Sequence, residues 1–476
     1  MIFNSFAFAL FLPTVFAIYW LSAPRGWGLQ NIVIIAASAF FYAWWDWRFF
    51  GLILFCGCFN YAVALSLPAL PSPRARKALL VATICVNFGL LGFFKYFNFF
   101  AENLAGACGL LGIHLDAVTL RIILPVGISF HTFQTMSYTI DVYRGRLAPT
   151  RNLGAMLAYV CYFPQLLAGP IERATNLLPQ FHRNRHFSYE QAVDGLRQML
   201  WGFFKKIVVA DSCATCVNAI FSDYTHQPGS VLLLGSFLFA CQIYGDFSGY
   251  TDIALGCSRL FGINLMQNFA YPYFSRDIAE FWRRWHISLT TWFRDYVYYP
   301  LGGSRVGLAR SIRNTSIVFL VSGLWHGANW TFVAWGALNA VYFLPLLVLR
   351  RNRHHVDTVV AADRFWPKPV EVAQMAGTFG LTLVAWVFFR AETVGQAVDY
   401  LARMFDASLF SVPQSFRSPL LPIIGMFAVE WLQRRKPHGL EIKTLPCSAR
   451  WTAYASLTFL CLLMFQRQSE FIYFQF

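Results

Sequence analysis

Charge is what this chain has least of: Asp, Glu, Lys and Arg together supply 13% of its 476 residues. Soluble globular proteins carry about 25%, so water is excluded as the main solvent. Acidic side chains are the scarcer sign, 23 against 38 Lys plus Arg. A P-loop, a GxGxxG opening a helix and a GxSxG elbow are all missing, which disfavours ATP-driven transport and serine-hydrolase chemistry. His182-Arg-Asn-Arg-His186 has i,i+4 spacing but neither a third ligand nor an HExxH carboxylate, so no metal site is expected. No soluble basic domain exists to carry a nucleic-acid role. Of the 11 cysteines, Cys56, Cys58, Cys85, Cys161, Cys241 and Cys461 lie in apolar runs, where a free thiol behaves as a small hydrophobe. Cys213-Ala-Thr-Cys216 has redox spacing without the βαβ context of a thioredoxin.

Hydrophobic residues, 57% of the chain, take the place of charge. Apolar windows recur near 2–21, 29–45, 49–70, 78–100, 120–140, 198–221, 229–248, 314–332, 333–349, 374–390, 418–432 and 451–466. Each approaches the roughly 20 residues that a helix needs to cross the hydrocarbon core. The expectation is an all-α, polytopic integral membrane protein with about eleven transmembrane helices, forming one domain over 1–476. Met1-Ile-Phe-Asn-Ser lacks a cationic leader and Tyr19-Trp20-Leu21 lacks a small-x-small cleavage pattern. The first window is therefore expected to stay as a membrane helix. No soluble catalytic domain is expected on either side of the spans.

The net charge of +15 is concentrated in connections. Arg74, Arg76 and Lys77 form one cluster, Arg144, Arg146 and Arg151 another, and Arg283 to Arg313 a third. Arg350, Arg351 and Arg353, then Arg434, Arg435 and Lys436, supply two more. Short basic loops stay cytoplasmic, which places the N-terminus outside the cytoplasm. The same charge suits anionic lipid headgroups. Between 154 and 206, Pro164, Gly169 and Pro170 interrupt an apolar run, and Arg173, Arg183, Arg185, Arg197, Lys205 and Lys206 follow. A re-entrant hairpin beside a polar cavity accounts for both features.

Two histidines stand in very different surroundings. His326 lies in Ser322-Gly-Leu-Trp-His-Gly-Ala-Asn-Trp330, between apolar runs, where an ionisable ring is costly and is a functional-site candidate. Gly323 and Gly327 allow close approach of a helix or substrate. A neutral imidazole there suits a general base that takes a hydroxyl proton near pH 7; a structural histidine with one hydrogen bond is the alternative. His286 lies in 280–295, which reads as one amphipathic helix. Trp282, Trp285, Leu289 and Trp292 share one stripe, with Arg283, Arg284, Thr290 and Arg294 opposite. Such a helix lies in the membrane interface, either as an anchor alone or as an approach for an anionic substrate. Asp246 and Asp252, at the end of another apolar span, pair with arginines or orient a histidine. His131 and Gln134 sit in an apolar run broken by Pro125 and Gly127, and either line the same cavity or belong to a packed broken helix.

Pro272-Tyr-Phe-Ser-Arg-Asp-Ile-Ala-Glu-Phe-Trp-Arg-Arg-Trp-His-Ile-Ser-Leu-Thr-Thr-Trp-Phe-Arg-Asp295, Gln242-Ile-Tyr-Gly-Asp-Phe-Ser-Gly-Tyr-Thr-Asp252 and Gly323-Leu-Trp-His-Gly-Ala-Asn-Trp330 resemble the signatures of the membrane-bound O-acyltransferases. The nearest branch is that of the bacterial alginate O-acetylation proteins. The opening Met1-Ile-Phe-Asn-Ser-Phe and the closing Phe471-Ile-Tyr-Phe-Gln-Phe476 resemble it as well. The resemblance implies helices around a central tunnel, with further re-entrant and interfacial helices. It implies His326 as the catalytic histidine and His286 as the second one. Arg283, Arg284, Arg294, Asp246, Trp325 and Asn329 are the accompanying candidates for substrate or donor binding. With no bound cofactor, acetyl-CoA is the implied acetyl donor, reached from the cytoplasm across a bacterial inner membrane. The acetyl group would pass outward to an exported polysaccharide such as alginate or cellulose, through a periplasmic acetyltransferase partner. One departure stands out: Trp335-Gly-Ala-Leu-Asn339 carries Asn339 where many relatives have a histidine. Two competing readings are D-alanyl transfer to teichoic acid from a carrier-protein thioester and a non-catalytic transporter with His326 as proton relay.

Overall fold

The computed structural model describes residues 1–115, 119–166, 169–356, 358–465, 469, 471 and 472. Among these the regular structure is helical, with no strand. The chain forms two compact units, Met1–Gly195 with Ala254–Met266, and Leu196–Ile253 with Gln267–Phe476.

The first unit holds α1 (Phe6–Ser22), α2 (Trp27–Ser66), α3 (Pro73–Leu91), α4 (Phe97–Leu110), α5 (Ile128–Tyr143), α6 (Leu153–Val160), α7 (Phe163–Leu166), α8 (Ala174–Leu177) and the first turns of α9 (Tyr189–Phe203). Ser5 and Ser72 start α1 and α3 by accepting the N–H groups of Phe8 and Ala75, the usual service of a serine N-cap. The windows 29–45 and 49–70 form two arms of α2, which turns at Asp46 (φ −159°, ψ 111°). After Val160 the chain breaks into short pieces, as the proline and glycine interruptions require. This irregular backbone is bonded to its neighbours: Phe163 N–H donates to Ser38 Oγ, and Asn31 and Gln30 donate to the carbonyls of Phe181 and Arg185. Non-helical backbone at membrane depth persists only with such partners. Arg185 is buried rather than a surface charge, donating to Asn31 Oδ1 at 2.8 Å and to the Gln180 carbonyl at 3.2 Å. His131 and Gln134 are buried on α5, where Gln134 donates to the Tyr159 carbonyl at 2.9 Å.

The second unit continues α9 through a wide turn at Phe204–Ala210 into α10 (Asp211–Ser222) and takes most of α11 (Gly229–Leu260). It then holds α12 (Ile278–Arg284), α13 (Ile287–Phe293), α14 (Leu308–His326), α15 (Trp330–Val348), α16 (Pro369–Arg390), α17 (Val394–Met404), α18 (Leu420–Leu432) and α19 (Cys447–Met464).

Among the described residues six helical stretches are long and apolar enough to cross a membrane: Phe6–Arg25, Trp27–Ala69, Pro73–Leu110, Gly229–Leu260, Trp330–Val348 and Pro369–Arg390. Two shorter apolar stretches, Leu153–Leu166 and Leu420–Leu432, accompany them. The protein is a multi-pass membrane protein. The second of the six contains the Asp46 turn, so helices and crossings need not correspond one to one.

Candidate active site

The stretch 280–295 is two helices rather than one. α12 stops at Arg284, Trp285 is extended (φ −97°, ψ 127°), His286 is left-handed (φ 44°, ψ 55°), and α13 starts at Ile287. Neither proline nor glycine makes this break. A distant segment does: Asn268 accepts the Ile287 N–H through its carbonyl at 2.9 Å, while Ala270 N–H donates to the Arg284 carbonyl at 3.0 Å. These bonds replace the helical ones and turn the His286 ring inward. The expected apolar stripe survives the break, since Trp282, Trp285, Leu289 and Trp292 are all buried.

Asn268 also fixes the imidazole. Its Oδ1 accepts from Ser288 N–H and from Ser288 Oγ, so this face of the amide is the oxygen. His286 Nδ1 lies 3.0 Å from the same oxygen. An acceptor there requires the proton on Nδ1 and leaves Nε2 as the basic nitrogen of the neutral ring. Burial holds the imidazolium far below its usual range, down to about 3.

His326 ends α14, with three residues between it and the start of α15, so it stands at the turn of a helical hairpin rather than in mid-span. The backbones of the two helices nearly touch. A Cβ on Gly323 would fall 2.2 Å from the Phe332 carbonyl oxygen, and one on Gly336 would fall 2.4 Å from that of Phe319. The hairpin presses the His326 ring edge-on against Trp335 and Phe389, with centroids 5.1 and 5.2 Å away. Trp325 lies beside both histidines, 5.0 Å from His326 and 6.1 Å from His286. Phe247 and Phe269 complete the surround of His286 at 4.7 and 6.4 Å. Trp386 closes the far side, 5.9 Å from Trp335 and 5.1 Å from Trp285. Both histidine rings are thus buried in one aromatic cluster, with Trp325 in contact with each.

Both histidines fall inside a matched region: the membrane-bound O-acyltransferase (MBOAT) family model covers residues 146–368. The chain is also 39% identical over 408 residues to a probable alginate O-acetylase of Azotobacter vinelandii, covering 85% of this chain and 78% of that one. The chain belongs to the membrane-bound O-acyltransferase family. It is 37% identical to a probable alginate O-acetylase of Pseudomonas aeruginosa, with 98% of this chain and 83% of the other covered. A peptidoglycan O-acetyltransferase of Helicobacter pylori is 36% identical over 85% of this chain and 80% of its own length. As a membrane-bound O-acyltransferase the protein is an enzyme, an all-α membrane acyltransferase.

The other candidates in this acyltransferase are placed as follows. Arg284 pairs with Glu280 at 2.9 Å and donates to the carbonyls of Ala270 and Thr358. Arg283 donates to the carbonyls of Asn352 and His355 at 2.9 and 3.2 Å. Both hold the connection after α15 by its backbone. Arg294 pairs with Asp295 at 2.8 Å, and its side chain remains half exposed. Asn329 caps α15 by accepting the Thr331 N–H and donates to the Glu392 carbonyl. Asn339 donates to the Trp335 carbonyl one turn back in its own helix. Asp246 and Asp252 pair with lysines, not arginines: Lys206 and Lys205, at 2.8 and 2.6 Å. Both lysines are buried. Lys205-Lys206 inside an apolar run and next to Asp211 was the signal that could have exposed the cluster. Asn268, Phe247, Trp386 and Phe389 carried no such signal, being ordinary residues far from either histidine in sequence.

Proposed function

We propose that this enzyme transfers acetyl groups from a cytoplasmic thioester, acetyl-CoA, to an exported polysaccharide across a bacterial inner membrane. The observation carrying this reading is the pair of buried histidines, both inside the family-matched region and both in contact with Trp325. The alginate and peptidoglycan O-acetyltransferase names of its relatives support the acetyl group and the glycan acceptor. In the step itself, a neutral His326 takes the proton from an incoming hydroxyl as its oxygen attacks the thioester carbonyl carbon. The carbon–sulfur bond breaks and the thiolate recovers that proton. The imidazolium formed in between stands at the C-terminal end of α14, where the helix dipole favours positive charge. His286, through the lone pair of Nε2, orients the acceptor by accepting from a hydroxyl next to the reacting one. Arg294 and the basic loops attract the donor's phosphates, while Arg283 and Arg284 act through the connection that they hold. The charged CoA stays on its own side and only the acyl group passes on, to a periplasmic acetyltransferase partner or to the polymer.

The test is His326→Gln, which keeps polarity and hydrogen bonding but cannot accept the proton at neutral pH. Loss of a general base costs about a hundred- to ten-thousandfold in rate. Acetate on the exported polymer should disappear while the protein's abundance in the membrane is kept. A Gln variant that acetylates normally makes the residue structural and removes the proposal.

A further inference from the structure

We propose that the chain around Ser469, Phe471 and Ile472 is a positioning element for His286, fastened by a buried ion cluster and coupled to the ring through Phe471 and Phe247. Lys206 Nζ lies 2.8 Å from Asp211 Oδ1 and 2.8 Å from Asp246 Oδ1, and neither its own side chain nor that of Asp211 is exposed at all. Its third proton goes to the Ser469 carbonyl at 3.1 Å. Ser469 Oγ donates to Asp211 Oδ1, and Ile472 N–H donates to Asp246 Oδ2 at 2.6 Å. Two carboxyl groups thus share one ammonium in a dry interior. Apolar side chains of similar volume would join α10 and α11 at lower cost. What the ions add is a set of bonds to the backbone of Ser469 and Ile472. Buried backbone must find partners.

The fastened stretch reaches the site in two steps. Asp246 and Tyr250 are one turn apart on α11, and Phe247 lies between them in sequence. Phe471 is 1% exposed and packs on Tyr250 with ring centroids 4.3 Å apart. It also meets Phe247 at 6.2 Å, and Phe247 stands edge-on to His286 at 4.7 Å. Removing the Phe471 ring opens a void behind Phe247. Phe247 then relaxes away from the imidazole. Asn268 still holds Nδ1, but the ring loses its support on that face.

Two variants test this in the full chain, solubilised in detergent. Ile472→Cys reports fastening through alkylation, read by mass spectrometry at that peptide. It should react slowly, and about tenfold faster once Asp246→Leu is added, because local opening controls access. Phe471→Ala touches no charge and reports coupling. In a chain labelled with 15N-histidine it should shift the His286 ring signals, assigned by His286→Gln, and leave those of the exposed His226 in place. The coupling rests on the acetyl-transfer reading only where acetyl-CoA is the probe. There kcat should fall about tenfold with KM for acetyl-CoA nearly unchanged, since a small misplacement lowers the rate without lost binding. Unsubstituted enzyme that consumes no acetyl-CoA defeats the proposed reaction and leaves the labelling and resonance results to decide this one. Fast alkylation of Ile472→Cys alone overturns the fastening. Unmoved His286 signals in Phe471→Ala overturn the coupling, whatever happens to Asp246→Leu.

Discussion

At the residue scale the two histidines were legible and their supports were not. An imidazole between apolar runs, or beside arginines and tryptophans, is conspicuous in a chain that is 13% charged. Asn268 is a polar residue in a connection, and nothing in its neighbourhood announces that it fixes a ring 18 positions away. The consequence of that fixation can be measured. His286 stays neutral in the folded chain down to about 3, against 6.5 for an exposed histidine. Between those values the unfolded chain binds a proton that the folded chain refuses, so this group makes stability fall as pH drops below about 6.5. Carboxylates titrate in the same window, which makes a difference measurement necessary. His286→Gln should lose less of its thermal stability than the parent between about pH 7 and pH 4, the parent alone carrying the extra proton uptake. Parallel loss in both chains defeats the assignment of a buried neutral ring.

At the element scale the helices were legible, but two of their breaks, within 280–295 and within 314–332, were missed. Apolar windows gave the helices because hydrophobic length is a local property. The window 314–332 runs through the Gly327–Asn329 turn because three short residues do not interrupt its apolar run. The stretch 280–295 breaks at His286 because Asn268 and Ala270 take over its backbone bonds, a tertiary event that periodicity cannot register. The α14–α15 contact, by contrast, is written in small residues. Gly323 faces the Phe332 carbonyl oxygen so closely that a methyl would fall 2.2 Å from it. Gly323→Ala should therefore push the hairpin apart, costing about 1–3 kcal/mol as overpacking does. His326 lies one turn later, and its displacement should lower the transfer rate by up to about a hundredfold. Gly377→Ala on α16 is the control, because a Cβ there meets nothing within 4 Å. It should be neutral or slightly stabilising, by up to about 1 kcal/mol. Equal behaviour of the two variants in membrane abundance and transfer rate is incompatible with the close-packed hairpin.

At the scale of the whole molecule the open matter is how the chain is threaded through the membrane. The positive-inside pattern puts Arg74, Arg76 and Lys77 in the cytoplasm and, counted back through three crossings, the N-terminus on the other side. That count depends on α2. A straight helix over Trp27–Ser66 crosses once and reverses the assignment of the N-terminus; a helix turned back at Asp46 crosses twice and preserves it. The residues at the turn favour two crossings. Asp46 leaves helical geometry altogether, Arg48 bonds its carboxylate at 2.6 Å, and Trp44, Trp45 and Trp47 are 59%, 44% and 74% exposed around it. Tryptophans beside an ion pair belong at the headgroup level, not at the bilayer centre. The stretches 27–45 and 47–66 are each long enough, at about 1.5 Å per residue, to reach across roughly 30 Å of hydrocarbon. We therefore expect Trp47→Cys to be labelled by a membrane-impermeant thiol reagent from the periplasmic side, and Ser72→Cys only after the cytoplasmic face is opened. A single straight crossing would instead hold position 47 in lipid, so that Trp47→Cys reacts from neither side. The tryptophan cluster would then mark only a kink, and the N-terminus would be cytoplasmic.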